Sequence, residues 1–197
     1  MRIITGKARG RKLKEPNGNA VRPTTAMVKE ALFNIIQFDI EGRRVLDLFA
    51  GTGQLGIEAL SRGAATCDFV ENAKAAHALV RANLESSELA GGRVFQGDAA
   101  SFLARAERYD LIFFDPPYDL PNLDQIIEKV VQFDILNQNG IMVCETKVET
   151  SLPEVAEPYQ KGKEYRYGKT KITLYSRQSG KAERLCDPFF TLLRLSP

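Results

Sequence analysis

One stretch of the chain combines a strand, a glycine loop and the start of a helix: Val45-Leu46-Asp47-Leu48-Phe49-Ala50-Gly51-Thr52-Gly53-Gln54-Leu55-Gly56. Its first four residues are mostly apolar and have strand length, and the helical segment behind the loop ends at Gly63. Glycine lets the backbone turn sharply and approach a ligand closely. This order of elements opens nucleotide-binding α/β folds, in which the ligand lies at the carboxyl end of the first strand.

Strands and helices alternate beyond this stretch. The apolar patterns predict strands over 45–48, 67–70, 93–96, 111–114 and 141–144, and helices over 55–62, 73–85, 99–106 and 123–133. Such alternation indicates βαβ units and a parallel sheet. Two alternating segments, 163–167 and 171–175, predict a terminal antiparallel hairpin around Gly168-Lys169-Thr170. The expected fold class is therefore α/β and Rossmann-like, with a mostly parallel sheet and a terminal antiparallel hairpin.

The amino-terminal part of the chain is basic. Residues 1–29 contain eight Lys or Arg residues and one acid, whereas the formal net charge of all 197 residues is only +2. We predict that residues 1–22 form a short β-hairpin arm, and that a helix with apolar positions 28, 31, 32, 35 and 36 follows it. A basic arm on a mildly acidic body is typical of proteins that contact phosphate backbones. A solubilising tail is the simpler alternative.

Acidic residues near the predicted strand ends indicate which cofactor the glycine loop holds. The pattern Gly51-x-Gly53-x-x-Gly56 also fits a dinucleotide site. Asp47 would repel a pyrophosphate but attract the cationic methionine end of S-adenosylmethionine. Glu71 suits a ribose diol, because a carboxylate accepts two hydrogen bonds. Asp98 follows the third strand, where it can accept from the adenine amino group or cap the next helix.

A second motif, Asp115-Pro116-Pro117-Tyr118, follows the predicted fourth strand. The prolines stiffen the loop and offer carbonyls without N–H groups. An exocyclic base amine is a poor nucleophile, because its lone pair is delocalised into the ring. If Asp115 and a proline carbonyl accept its two N–H bonds, the lone pair can point at a sulfonium methyl group. Tyr118 can stack on the base. The alternative is a simple strand-ending turn.

Together, these motifs resemble those of the RsmD-type family, bacterial 16S rRNA (guanine-N2)-methyltransferases with the class I S-adenosylmethionine-dependent methyltransferase fold. The similar stretches are Met1–Gly6, Gly10-Arg11, Arg22-Pro23-Thr24, Glu30–Ile35, Asp47–Gly53, Leu55–Ala64 and Asp115–Tyr118. The resemblance implies a methyltransferase domain over residues 23–177. Residues 178–197 do not resemble the usual end of the family and form a C-terminal tail of unknown structure.

The resemblance also implies roles for individual residues. The cofactor would be held by Asp47, Phe49, Gly51, Gly53, Glu71 and Asp98. The target base would be held by Asp115, Pro116, Pro117 and Tyr118. RNA contacts are expected from the basic arm and the motif behind it, at Arg9, Arg11, Lys12, Arg22 and Thr24. The expected substrate is 16S rRNA in the small ribosomal subunit.

Three other functions are compatible with part of this pattern. An adenine-N6 methyltransferase of DNA or RNA can share the Asp-Pro-Pro-Tyr motif, although we expect neither end of the chain to hold a separate domain that reads DNA sequence. A nucleotide-binding oxidoreductase would explain the glycine loop but not Asp47 or the two prolines. An inert RNA-binding assembly protein would explain the basic arm alone.

The cysteines are scattered and point to a reducing compartment. Cys67 and Cys144 are expected to be small apolar core residues on strands, and Cys186 has no nearby cysteine. No His, Cys and acid pattern predicts a metal site. We expect a cytoplasmic protein without a membrane span, which acts as a monomer.

Overall fold

The computed structural model describes residues 1–16, 26–118 and 120–179. Its helices are α1 (Ala26–Ile35), α2 (Gln54–Ser61), α3 (Lys74–Ser87), α4 (Ala99–Leu103) and α5 (Leu123–Gln132). Its strands are β1 (Arg44–Asp47), β2 (Thr66–Glu71), β3 (Gly92–Gln96), β4 (Tyr109–Phe114), β5 (Leu136–Lys147), β6 (Tyr159–Tyr167) and β7 (Thr170–Arg177). Within these residues, no helix has the length and apolar character needed to cross a membrane.

The seven strands form one sheet in the order β3-β2-β1-β4-β5-β7-β6. Strands β1 to β5 run parallel to one another, and β7 pairs antiparallel with both β5 and β6. The strand order changes direction between β1 and β4, since β2 and β3 lie on one side of β1 and β4 lies on the other. Open α/β sheets bind ligands at such a switch point, outside the carboxyl ends of the strands. The predicted fold class is confirmed.

Each strand of the sheet centre sends alternate side chains to opposite faces. Successive residues Leu111, Ile112, Phe113 and Phe114 are all fully buried, and they alternate between two separate clusters of the core. One cluster holds α1, α2 and the amino-terminal arm, and the other holds α4 and α5. Burial on both faces explains why β4 is a continuous apolar run rather than an alternating one. Cys67 and Cys144 are buried, as predicted.

Three elements differ from the prediction by three or more residues at an end, and one of them, β6, begins at Tyr159 instead of 163. Strand β5 begins at Leu136, whereas the prediction placed its start at 141. The prediction missed the first part of the strand because residues 137–139 are polar and carry no strand signal. Asn139 in this part also has a left-handed backbone (φ 58°). Helix α4 ends at Leu103 instead of 106. Pairing with a neighbouring strand, and not local sequence preference, determines the extent of β5.

The predicted β-hairpin of residues 1–22 is reduced to a compact loop in its described part, residues 1–16. A single antiparallel bridge joins Arg2 and Lys12, in place of two paired strands. Gly6 turns with φ 87° directly on α2, where an added Cβ would lie 1.8 Å from the Ser61 carbonyl oxygen. Three apolar side chains of this loop are at most 4% exposed: Ile3, Ala8 and Leu13. The loop is therefore anchored in the core of the domain.

Candidate active site

Three carboxylates meet at the carboxyl edge of the sheet. Asp47 is the last residue of β1 and lies in register with Phe69 of β2 and Phe113 of β4. Glu71 and Asp115 each lie two residues further along those neighbouring strands. The topology thus brings together residues that are 68 positions apart in sequence, at the switch point of the sheet.

Asp47 is a buried acid with a raised pKa. Its side chain is 1% exposed, and Oδ2 accepts a hydrogen bond from the Gly56 N–H at 3.0 Å. Burial raises the pKa of Asp47 to about 7, with smaller contributions from the negative charges of Asp115 and Glu71, while the Gly56 bond opposes the rise. A cation bound beside these three carboxylates would favour their charged forms. The edge therefore suits a positively charged ligand group.

Glu71 holds the glycine loop from β2. Its Oε2 accepts from the Gly51 N–H at 2.9 Å, and its Oε1 accepts from the Ala73 N–H at 2.8 Å. Each carboxylate oxygen has a second acceptor position, so the hydroxyls of a ribose can still donate to this half-buried side chain. Glu71 therefore fixes the loop and keeps the capacity to bind a diol.

Two glycines of the loop have backbone conformations that favour glycine, and one of them borders open space. Gly51 and Gly53 adopt left-handed backbones with φ of 55° and 78°. A Cβ at Gly51 would meet only the Phe49 carbonyl oxygen, at 4.0 Å, so this position faces open space that a ligand can enter. The Phe49 ring packs edge-on against Phe114, with 5.2 Å between the ring centroids, and this contact anchors the start of the loop to the end of β4.

Asp98 is the N-cap of α4. Its Oδ1 accepts from the Ser101 N–H at 2.9 Å. Hydrogen bonding by the Ser101 side chain, and then by the Ser101 backbone, lowers the pKa of the carboxyl group. The capping role that the sequence allowed is present in the structure. Asp98 is also exposed at the carboxyl edge beyond β3, so an adenine amino group can reach it, and this second role stays a prediction.

The Asp115–Tyr118 segment lies at the same edge. The Pro117 carbonyl accepts from the Leu120 N–H at 3.0 Å, which closes a turn and makes the Pro116 carbonyl the better candidate for a base contact. The Tyr118 side chain is 42% exposed, as a platform for a stacked base requires. Lys147, at the end of β5, places its Nζ 5.2 Å from the centre of the Tyr118 ring.

The predicted RNA-binding residues fall into three groups. Arg9 and Lys12 are exposed on the outer side of the arm. Arg11 is tied to the end of α3, because its guanidinium donates to the Ser87 carbonyl at 2.8 Å and binds Glu88 at 2.7 Å. Arg22 and Thr24 lie outside the described residues. Arg11 thus serves to dock the arm, which the sequence did not reveal.

Glu58 is a further important residue that sequence reasoning missed. This fully buried carboxylate accepts from the backbone N–H groups of Ile4 and Thr5 at 2.8 and 2.9 Å. It also binds Lys29 at 3.0 Å and Arg62 at 2.9 Å, and burial lowers the pKa of Lys29. Glu58 is the one charged residue of the mostly apolar segment that forms α2, and a single charge in such a segment is a sequence signal that a partner segment covers it.

No group of three or more His, Cys, Asp or Glu side chains within residues 1–16, 26–118 and 120–179 is arranged to hold a metal ion. The carboxylates at the sheet edge are grouped instead around a glycine loop whose open side would receive an organic ligand. Their negative charge and the room beside Gly51 fit S-adenosylmethionine, which carries an ammonium and a sulfonium but no phosphate.

Comparison with known proteins agrees with this assignment. Residues 1–176 match the family described as "Conserved hypothetical protein 95". The chain is 36% identical over 180 residues to Ribosomal RNA small subunit methyltransferase D of Escherichia coli (strain K12), covering 91% of both chains. The solved Escherichia coli protein yhhF has a TM-score of 0.82 at 36% identity and covers 91% of this chain and 99% of its own. SMU.776, crystallised in complex with SAH, shares the fold at 19% identity, with a TM-score of 0.63 over 76% of this chain and 48% of its own.

The fold and the edge of acidic residues around the glycine loop define the class of the protein, a class I S-adenosylmethionine-dependent methyltransferase. Within that class, the chain belongs to the RsmD-type family. Both statements agree with the expectation from the sequence motifs.

Proposed function

We propose that this protein transfers a methyl group from S-adenosylmethionine to the exocyclic N2 amine of a guanine in 16S rRNA of the small ribosomal subunit. The observation that carries the proposal is the presence of Asp115-Pro116-Pro117-Tyr118 at the same sheet edge as Asp47 and the glycine loop. The named relative acts on small-subunit rRNA, which supports the choice of substrate. The choice of guanine N2 rests on the family resemblance.

The proposed cofactor site uses residues from three strand ends. Asp47 and the loop at Gly51 and Gly53 would receive the methionine end, Glu71 would bind the ribose hydroxyls, and Asp98 would accept from the adenine amine. Phe49 supports the loop through its contact with Phe114. When bound, S-adenosylmethionine supplies an electrophilic methyl group on a positively charged sulfur.

The proposed base site activates the amine by position. Asp115 and the Pro116 carbonyl would accept the two N2–H bonds, so that the nitrogen lone pair is directed at the methyl group and not into the ring. As the new C–N bond forms, the bond between the methyl group and sulfur would break with its electron pair on sulfur, leaving S-adenosylhomocysteine, and Asp115 would accept the proton that leaves N2. Tyr118 would hold the base flat by stacking, after the nucleotide has left its helix or loop. The exposed arm residues Arg9 and Lys12 would contact phosphates.

A transfer assay with labelled S-adenosylmethionine tests the substrate class. The acceptors are small ribosomal subunits from cells that lack this protein, protein-free 16S RNA, and duplex DNA. We expect incorporation into the RNA acceptors, close to one methyl group per subunit, and none into DNA. Incorporation into DNA alone would favour the adenine-N6 alternative, and a clear preference for NAD over S-adenosylmethionine in equilibrium binding would reject the whole class.

A further inference from the structure

Asn83, on α3, links the amino-terminal arm to the glycine loop. Its side chain is fully buried. The amide oxygen accepts from the Lys14 N–H at 2.7 Å, and the amide nitrogen donates to the Lys14 carbonyl at 3.1 Å and to the Thr52 carbonyl at 2.9 Å. All three contacts join segments that are far apart in the chain. A single side chain therefore holds the arm and the loop in fixed relative positions.

A second contact between the same two segments supports this link. The Thr52 side chain is 5% exposed, and its hydroxyl donates to the Met1 sulfur at 3.8 Å. The arm thus contacts the loop at Thr52, while Glu71 holds the loop through the Gly51 N–H. The conformation of the loop depends on partners from both sides.

Burial makes the Asn83 contacts important for both segments. A buried carbonyl or N–H that loses its partner is destabilising, so the Lys14 and Thr52 groups constrain each other through the shared amide. Asparagine is suited to this role because its side chain carries one acceptor and two donor hydrogens. Aspartate and leucine, which have nearly the same shape, cannot donate to the Thr52 carbonyl.

We infer that Asn83 is a positioning residue through which the docked arm sets the glycine loop for cofactor binding. The inference rests on the loop as the cofactor site proposed above. A change confined to the arm then weakens cofactor affinity without a change in any residue that touches the cofactor. Because coupling between sites is reciprocal, a ligand in the loop also tightens the arm.

Two variants and two controls test the inference by calorimetric titration with S-adenosylmethionine. We expect Asn83→Leu to raise the Kd about tenfold and Lys14→Pro, which removes the N–H that Asn83 accepts but keeps the Lys14 carbonyl, to raise it about threefold or more. In transfer assays at saturating S-adenosylmethionine, kcat of both variants should stay within about twofold of the parent, since the base site is untouched. Ser87→Ala is the matched control, because the Ser87 hydroxyl is also buried on α3 but bonds only to the nearby Leu84 carbonyl and Leu89 N–H, and not to the arm or the glycine loop.

Asp47→Asn distinguishes failure of this inference from failure of the proposed cofactor site. If Asp47→Asn binds S-adenosylmethionine as well as the parent, the site itself is wrong. If Asp47→Asn weakens binding but Lys14→Pro matches Ser87→Ala within twofold, the site stands and the coupling through Asn83 is rejected.

A measurement on the unaltered protein covers the case in which a variant does not fold. Hydrogen exchange at the Lys14 amide should slow at least threefold more than exchange at the Ile4 amide when S-adenosylhomocysteine binds, because the Ile4 N–H is held by Glu58 and not by Asn83. Equal protection of the two amides would overturn the inference.

Discussion

At the scale of single residues, the negative charge of Asp47 is disfavoured by burial and by two neighbouring acids. Its carboxyl group is buried beside Asp115 and Glu71, and its pKa is raised to about 7. Between about pH 4 and pH 7 the folded protein keeps a proton on Asp47 that the unfolded chain has lost. The free energy of unfolding therefore falls as the pH rises through this window, and the penalty is complete above pH 7. A bound cation would offset this penalty, so the same buried carboxyl group that lowers stability would favour binding of a positively charged ligand.

Asp47→Asn should separate stability from binding. The amide oxygen can still accept from the Gly56 N–H, while the buried charge is removed. Without cofactor at pH 8, we expect the variant to be more stable than the parent by on the order of 3 kcal/mol, and the difference to vanish near pH 4. Thermal unfolding across this pH range measures it. A variant that is less stable than the parent at pH 8 would contradict the electrostatic account.

Substitution of Tyr118 tests base stacking without removing Asp115 or the Pro116 carbonyl, the groups proposed to activate the amine. Tyr118→Ala should raise KM for the RNA substrate by about 10- to 100-fold, since stacking contributes about 1–3 kcal/mol per base. Tyr118→Phe should stay within about threefold, because it keeps the ring that lies beside Lys147. Steady-state transfer assays measure both variants. Equal KM values for the Ala variant and the parent would remove Tyr118 from the base site.

At the scale of elements, the packing of α2 on the sheet depends on one glycine. A Cβ at Gly56 would lie 2.3 Å from a ring carbon of Phe69 and 2.6 Å from the Cys67 sulfur, so the helix could not approach β2 as closely. This close approach also places the Gly56 N–H against Asp47. Glycine at position 56 therefore allows both the close packing of α2 on β2 and the hydrogen bond that holds Asp47.

Gly56→Ala should destabilise the fold by about 1–3 kcal/mol through overpacking, even though alanine favours helix formation. The matched control is Gly97→Ala, where an added Cβ would meet nothing within 4 Å. Chemical denaturation of both variants measures the free energies of unfolding. If Gly56→Ala proved as stable as Gly97→Ala, close packing would not be what requires glycine at this position.

Elements with signals in their own sequence were predicted well, whereas elements that depend on distant partners were not. The helices and strands around the glycine loop were predicted closely, because apolar spacing and turn residues are local signals. Strand β5 was predicted too short, since its first half is defined by pairing with Tyr109 of β4. For the site, the motifs predicted which residue types are present and at which edge of the sheet they lie. The roles of Glu58, Arg11 and Asn83 did not, because all three bind segments that are distant in sequence.

At the scale of the whole molecule, the described part of the basic arm, residues 1–16, is a fixed surface and not a loose tail. Glu58, Asn83 and Ser61 hold its backbone, while Arg9 and Lys12 stay exposed. A fixed set of exposed cations can position an RNA backbone relative to the carboxyl edge, whereas the charges of a flexible tail cannot. The anchoring therefore favours substrate positioning over the solubilising alternative.

Salt dependence tests this role of the arm. The double variant Arg9→Ala and Lys12→Ala should bind small ribosomal subunits more weakly at 0.1 M salt, and the slope of log K against log salt should fall by about one to two. Lys163→Ala, which removes an exposed cation from β6 at the opposite end of the sheet, should leave the slope unchanged. If the double variant kept the parent slope, the arm would not contact phosphates.

The most direct test of the central claim is the identity of the methylated nucleoside. Small ribosomal subunits from cells lacking this protein are incubated with the purified enzyme and S-adenosylmethionine. Their RNA is digested to nucleosides, which are separated by liquid chromatography against standards of the isomeric methylated nucleosides and identified by mass spectrometry. The account predicts N2-methylguanosine as the product, with formation at least 10²-fold slower for Asp115→Ala than for the exposed-acid control Asp124→Ala. N6-methyladenosine as the product, or undiminished methylation by Asp115→Ala, would contradict it.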